Sequence, residues 1–166
     1  FAFFAGGGAV KFVKDYDAAG LKKSIPLVGS GFLTDGTLEA QGASAQGLIT
    51  ALHYGDNIET PRNTAFRNKF AVTYKVNPDV YALQGYDAAQ MLAIGLATVK
   101  GDLGKKDALY AAMNKAQIDS PRGKFTLSPQ RNPTQDFYVR EVKGNYNVVT
   151  GVAVKALADP GRGCKP

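Results

Sequence analysis

Two glycine-containing loops are the features of this sequence best suited to binding a ligand. Residues 6–8 are three glycines that follow the apolar segment 1–5, and Ser30-Gly31 follows the apolar segment 25–28. Open α/β sheets bind ligands at the carboxyl ends of their strands, where glycine lets a ligand approach the backbone. Bare amides at a helix start attract a carboxylate. The predicted contacts are Ala5, Gly6 and Gly7 from one loop, and Ser30, Gly31 and Phe32 from the other.

Aromatic side chains accompany these loops and suggest an apolar ring in the ligand. Phe4 and Phe32 adjoin the two loops, and Tyr81 and Tyr86 lie near the start of a predicted helix. Together they could form the walls around a ring. Each could instead belong to the hydrophobic core, and the sequence leaves both possibilities open.

Patterns for catalysis and for cofactor binding are missing from the sequence. His53 is the only histidine and Cys164 the only cysteine, so we predict neither a nucleophile–base pair nor a metal site. The glycines are not a dinucleotide fingerprint, because Lys11 stands where glycine or alanine is required. We therefore predict no enzymatic activity and no cofactor. His53 is expected to pack or hydrogen-bond at a strand end, and Cys164 is either an inert tail thiol or the partner of a cysteine outside this chain.

Length and charge narrow the class of protein. The 166 residues suffice for one ordinary domain, and the net charge is +6 with a pI near 9.4. No cluster of basic residues alternates with aromatic ones, so we do not expect nucleic-acid binding. The apolar runs are shorter than the roughly 20 residues that span a bilayer, so no membrane crossing is predicted.

Hydrophobic spacing predicts an α/β order of elements. A strand over residues 1–5, a helix over residues 9–19 and a strand over residues 25–29 form a parallel βαβ unit. A short helix follows, and then a third strand over residues 47–54.

Helices are then predicted over residues 61–74, 81–99 and 105–116. Phe66, Phe70 and Tyr74 share one face of the first of these, and we assign all three to the core. Strands follow over residues 125–127, 136–142 and 146–154, with a hairpin turn at 143–145 and an irregular tail from residue 159.

This succession of motifs resembles the type I periplasmic solute-binding proteins of ABC transporters, in the leucine/isoleucine/valine-binding family of extracellular ligand-binding receptors. The matching segments are residues 6–8, 19–21, 25–29, 47–48, 61–74, 78–81, 85–89 and 137–142. The resemblance covers nearly the whole chain and implies a two-lobed α/β fold of Rossmann-like parallel sheets flanked by helices, with only part of each lobe present.

The resemblance also implies how the chain is organised. It looks like the carboxyl-terminal half of a receptor, whose missing amino-terminal half would carry a signal peptide. Residues 1–53 and 124–155 would belong to lobe two, residues 57–119 to lobe one, and residues 156–166 to a tail. The family's ligand contacts fall near Ala5-Gly6, Ser30-Gly31 and Tyr81, with Tyr86 close by.

One departure from the family bears on the ligand. Receptors for branched-chain amino acids place an acidic residue in the loop after the second strand, where it holds the ammonium group. Here the loop reads Gly29-Ser30-Gly31-Phe32, and the first acid is Asp35. An ammonium group without a counter-charge is costly to bury. We therefore predict a carboxylate without an amine, plausibly aromatic; an amino acid would need Asp35 or the missing half.

The predicted function is that of a periplasmic receptor which captures a small organic acid between two lobes and delivers it to the membrane subunits of an ABC permease. The alternatives are a branched-chain amino-acid receptor and a ligand-sensing regulatory domain of the same fold.

Overall fold

The computed structural model describes residues 1–163, which divide into two units. One unit comprises Phe1–Glu59 and Asp136–Lys155, and the other comprises Thr60–Gln135 and the described residues from Ala156 onward. We call them unit 1 and unit 2. Cys164 lies outside the described residues. Within residues 1–163, no helix is both long enough and apolar enough to cross a membrane.

Unit 1 is a small sheet with helices packed against it. Its helices are α1 (Gly6–Ala18) and α2 (Leu38–Gln41), with 3₁₀ turns at Leu21–Lys23, Gly31–Leu33 and Gly42–Ala45; its strands are β1 (Val28–Ser30), β2 (Ile49–Leu52), most of β4 (Pro133–Lys143) and most of β5 (Tyr146–Leu157). β1 runs parallel to β2, and β2 runs antiparallel to β4. β5 pairs with β4.

The core of unit 1 lies between α1 and this sheet. Ala9, Val13 and Tyr16 recur at helical spacing along α1 and are buried. They pack with Leu33, Ala45, Leu48 and Val142, which come from the segments that follow β1 and from β4. The core therefore fixes the amino-terminal end of α1 beside the end of β1.

The prediction of a strand over residues 1–5 is wrong. Only Ala2 pairs, as a parallel bridge to Gly29, donating to Val28 O at 2.9 Å and accepting from Ser30 N at 3.2 Å. Phe1 is 89% exposed, so its side chain takes no part in the core of unit 1. The helix begins at Gly6, three residues earlier than predicted. Gly6 has φ +55°, a conformation that glycine tolerates, so the chain turns from extended Ala5 into the helix within one residue.

Unit 2 contains three helices: α3 (Pro61–Tyr74), α4 (Val80–Thr98) and α5 (Lys106–Asn114). Thr60 Oγ1 accepts a hydrogen bond from Asn63 N at 3.0 Å, and Asp79 Oδ1 accepts one from Ala82 N at 3.0 Å. These side chains satisfy amides that have no partner inside the helix. The helix bounds lie within two residues of the predicted ones.

The prediction that the whole aromatic stripe of α3 is core is wrong. Phe66 is buried, but Phe70 is half-buried and Tyr74 is 63% exposed. Phe66 packs against Tyr86 of α4 with ring centroids 5.1 Å apart. Phe70 contacts both Phe66, at 5.9 Å, and Tyr74, at 4.6 Å, so the stripe continues from the buried part of α3 to its exposed carboxyl-terminal end.

β4 is longer than predicted and belongs to both units. Its first residues pair with the short strand β3 (Thr126–Leu127), with Thr126 opposite Thr134. Its later residues pair with β2, with Thr50 opposite Arg140. The boundary between the two units falls inside this strand, between Gln135 and Asp136.

Candidate functional site

The two predicted ligand loops of unit 1 lie side by side. Ala2 pairs with Gly29, so the chain leaves the sheet after both residues at the same edge. Beyond that edge the rings of Phe3 and Phe32 meet edge-on, with centroids 6.1 Å apart. The structure thus brings the loop at residues 4–7 next to the loop at residues 30–32, as βαβ topology requires.

The start of α1 is open to an approaching ligand. Its N-cap residue is Ala5, whose side chain cannot accept a hydrogen bond, and its first turn contains no acidic residue. A Cβ added at Gly6 or Gly7 would meet nothing within 4 Å, so these backbones face open space. Unpaired N–H groups and the positive end of the helix dipole make this terminus suited to an anionic oxygen.

Ser30 brings a polar side chain to the same edge. Its Oγ is buried, and among residues 1–163 it has no hydrogen-bond partner. Buried hydroxyls are nearly always paired, so such a group points to a water molecule or a ligand atom. A hydroxyl can donate a hydrogen bond to a carboxylate.

Gly31 is required by a close contact that the sequence analysis missed. A Cβ at this position would lie 2.6 Å from Arg140 Nη2 and 2.6 Å from Leu52 Cβ. Arg140 comes from the middle of β4 and is completely buried. Its alternation with buried Val142 along the strand is the sequence signal that could have placed it on the core side. The loop at residues 30–32 therefore rests directly on the Arg140 guanidinium.

Arg140 forms an ion pair with Asp35. Its Nη2 lies 2.7 Å from Asp35 Oδ2, its Nη1 donates to Tyr54 O at 2.9 Å, and Nη2 also donates to Thr50 Oγ1 at 3.1 Å. Asp35 is only 4% exposed. The acid that an amino-acid ligand would require from this loop is therefore engaged inside unit 1.

The two phenylalanines predicted to contact the ligand have different surroundings. Phe4 is 42% exposed and stacks on Phe12 of α1, with centroids 4.6 Å apart and planes inclined by 24°. Phe32 is half-buried beside Phe3. His53, expected to have a packing role, is buried and meets the Phe137 ring edge-on at 6.1 Å. Phe3, which is 65% exposed, was not among the predicted contacts.

Tyr81 and Tyr86 belong to unit 2. Tyr81 lies in the first turn of α4 and is 46% exposed. Tyr86 is half-buried against Phe66, and its hydroxyl accepts from Arg62 Nη1 at 3.4 Å. The tyrosines are five positions apart, so with 3.6 residues per turn they occupy different faces of α4.

Tyr86 also lines a groove within unit 2. The groove has a volume of about 480 Å³. Its aromatic lining comes mainly from the stripe of α3, and Arg62 and Lys69 supply positive charge. None of the strand-end residues lines it.

A buried polar cluster in unit 2 was also missed by the sequence analysis. Ser120 Oγ donates to Asp87 Oδ2 at 2.7 Å, and Arg122 Nε lies 3.0 Å from the same oxygen. Burial is the largest influence on both charged groups: it raises the pKa of Asp87 and lowers that of Arg122. The hydrogen bond from Ser120 and the charge of Arg122 oppose the rise at Asp87.

The α/β architecture and the paired strand-end loops match a known family. The family profile described as periplasmic binding protein matches residues 1–147 of this chain. The chain belongs to that family of solute-binding transport proteins, which confirms the resemblance inferred from its motifs.

Three proteins illustrate what the chain is similar to. An ABC-transporter solute-binding protein from R. palustris, solved in complex with benzoate, is 50% identical with a TM-score of 0.94, over 99% of this chain and 45% of that chain. A solute-binding protein from Rhodopseudomonas palustris BisB5, in complex with 3,4-dihydroxybenzoic acid, is 29% identical with a TM-score of 0.84. The match covers 96% of this chain and 46% of that chain. Leu/Ile/Val-binding protein homolog 6 of Brucella melitensis is 33% identical over 86% of this chain and 38% of its own length. The chain thus spans less than half the length of each.

Proposed function

We propose that this chain is part of the substrate-binding component of an ABC transporter and that its ligand is a small aromatic carboxylate. The proposed contacts are those predicted from the sequence: Phe4, Ala5, Gly6, Gly7, Ser30, Gly31, Phe32, Tyr81 and Tyr86. To these the geometry adds Phe3. The proposed division into lobe two (residues 1–53 and 124–155) and lobe one (residues 57–119) follows the same reasoning.

The open start of α1 beside the unpartnered Ser30 hydroxyl is the observation that carries this proposal. A carboxylate placed there would accept from glycine amides and from Ser30 Oγ, and the helix dipole would favour its charge. The rings of Phe3 and Phe32 stand at the same edge and would cover an aromatic ring. Binding needs no catalytic group, which accords with a transport role.

The ion pair of Asp35 supports an acid without an amine. Asp35 is buried and its charge is already paired with Arg140, so it offers a ligand ammonium less net negative charge than a free loop acid would. The benzoate complex of the relative at 50% identity supports the same ligand class.

The branched-chain amino-acid receptor remains the second candidate, because the matching curated relatives carry that name. In that case the ammonium group would be held by residues outside this chain. A sensing domain of the same fold would bind through the same loops. For either transport role we propose a periplasmic location, an ABC permease as partner, and a further segment that completes the receptor.

Titration of the ¹⁵N-glycine-labelled chain, observed by NMR, tests the proposal. Benzoate should shift the amide signals of Gly6, Gly7 and Gly31, whereas benzyl alcohol, which has the ring without the charge, should not. Gly101 and Gly104 of unit 2 serve as internal controls. Shifts with leucine but not with benzoate would favour the second candidate.

Ser30→Ala provides a matched test of the hydroxyl. Loss of one hydrogen bond to a charged group is worth about 1.5–3 kcal/mol, so benzoate affinity should fall by at least tenfold. Ser24→Ala, in an exposed loop of the same unit, should leave the affinity unchanged. Equal affinities for the two variants would remove Ser30 from the site.

A further inference from the structure

The buried ion pair of unit 2 connects helix α4 to the strand that leaves the unit. Asp87 and Arg122 have side chains that are 3% and 8% exposed, with 3.0 Å between Asp87 Oδ2 and Arg122 Nε. The other end of the guanidinium reaches β4, where Arg122 Nη1 donates to Gln135 Oε1 at 2.6 Å. One arginine thus contacts both a helix and the crossing strand.

Phe125 holds this arginine from a third side. The guanidinium carbon of Arg122 lies 4.0 Å from the centroid of the Phe125 ring, a cation–π contact. The backbone N–H of Arg122 donates to Ser120 Oγ at 3.3 Å, and that hydroxyl donates to Asp87. The side chain is therefore fixed by its ion pair with Asp87, by the hydrogen bond to Gln135 and by packing on Phe125.

Gln135 occupies a particular place in the chain. It is the last residue of the first segment of unit 2, and Asp136 begins the second segment of unit 1 on the same strand. The contact from Arg122 therefore holds β4 at the last residue before it crosses.

The buried cluster is expected to contribute little to the free energy of unfolding, so its role is better sought in the position it gives to β4. A buried ion pair gains little over well-packed apolar side chains, because desolvation offsets the Coulomb attraction. Asp87 Oδ1 in addition has no hydrogen-bond partner among residues 1–163, which is a further cost. Because burying these charges costs free energy, the cluster is better explained by the position that it gives to β4 through Gln135.

We propose that Arg122 is a positioning residue that anchors β4 to α4 through Asp87 and Gln135, so that bending of the crossing strand begins after Gln135. This rests on the proposed function, because a receptor that closes on its ligand must bend its crossing segments. The anchor makes residues 126–135 move with α4, which also carries Tyr81.

Hydrogen exchange of the chain without ligand tests the anchor. Gln135→Leu removes the strand contact and leaves the Asp87–Arg122 pair in place. Peptides covering residues 126–139 should then exchange about tenfold faster or more, as expected for loss of a hydrogen bond to a charged group. Peptides from α4 should keep their protection. Gln135→Glu retains the acceptor and should exchange like the wild type.

Two results would overturn the proposal. One is unchanged exchange over residues 126–139 in Gln135→Leu. The other is a uniform increase across α3, α4 and α5, which would indicate a general loss of stability. Gln117→Leu, the same change at an exposed glutamine of unit 2, is the matched control. Because no ligand is present, the result does not depend on whether benzoate binds.

Discussion

The guanidinium of Arg140 lies 2.7 Å from the carboxylate of Asp35, directly beneath the loop that carries Gly31. The two charged side chains are buried in unit 1. The guanidinium also donates hydrogen bonds to Thr50 Oγ1 and to the carbonyl oxygen of Tyr54. The pair therefore supports the proposed carboxylate site from below, with its two charges paired to each other.

Removing the arginine should destabilise unit 1 strongly. Arg140→Met leaves Asp35 as an uncompensated buried charge, which costs about 3–5 kcal/mol. Urea denaturation followed by circular dichroism measures the change in the free energy of unfolding. Asp35→Leu combined with Arg140→Met removes both charges and should cost less than Arg140→Met alone. A double variant as unstable as the single one would show that packing, and not charge, dominates.

Gly31 and Gly7 should respond oppositely to the same added methyl group. Gly31→Ala places a Cβ 2.6 Å from Arg140 Nη2 and should cost about 1–3 kcal/mol, as overpacking does. Gly7→Ala meets open space inside a helix and should leave the fold as stable or more stable. Because Gly7 is one of the proposed ligand contacts, the added methyl group should nevertheless weaken benzoate binding. Thermal unfolding and benzoate titration separate the two effects.

The cap of α3 should be worth about 1 kcal/mol. Thr60→Ala removes the acceptor for the Asn63 N–H at 3.0 Å and leaves that amide unpaired. Denaturant titration of unit 2 should show the loss. Thr73→Ala, at an exposed hydroxyl that donates to Lys69 O within the same helix, is the matched control and should change little. Equal losses would argue against a capping role.

The raised pKa of Asp87 should make the free energy of unfolding fall with rising pH within one pH window. Burial raises its pKa in the folded protein, so the folded chain keeps a proton that the unfolded chain releases above about pH 4. Between the ordinary and the raised pKa, the free energy of unfolding therefore falls as pH rises, and above the raised pKa it stays level.

Asp87→Asn should lack this slope, and urea denaturation at several pH values and constant ionic strength compares the two proteins. Asp15→Asn on the exposed side of α1 controls for the loss of a carboxylate. If wild-type stability rises with pH relative to Asp87→Asn, then the pairing with Arg122 outweighs burial.

Local signals in the sequence predicted most of the helices and the order of the elements. Thr60-Pro61 specified the start of α3 because a cap and a fixed φ act within one turn, and α4 was predicted within one residue at each end. The prediction was wrong where the outcome depends on distant partners. The segment 1–5 forms only one bridge, and Tyr74 is exposed although its spacing matches that of buried Phe66.

The adjacency of the two proposed ligand loops was predictable from the sequence. The glycines, Ser30 and the lack of an acid in the second loop are visible in the sequence itself. That the two loops lie together could be inferred because a βαβ unit places successive strand ends at the same edge of the sheet. The contacts beneath them could not, because Asp35 and Arg140 are 105 residues apart in sequence. The Asp87–Arg122 pair was missed for the same reason, since a charged residue in a sequence does not reveal that it is buried.

The close packing of Arg140 against Gly31 limits the order in which this site can change during evolution. A side chain at position 31 is blocked while the arginine is present, and the arginine cannot be lost alone while Asp35 is buried beside it. Gly55 adds a third restriction, because a Cβ there would lie 2.4 Å from Val149 Cγ2 and 3.4 Å from Arg140 Cδ. We therefore expect substitutions at these positions to be epistatic: a side chain at position 31 of the proposed ligand loop requires coordinated replacement of the Asp35–Arg140 pair below it.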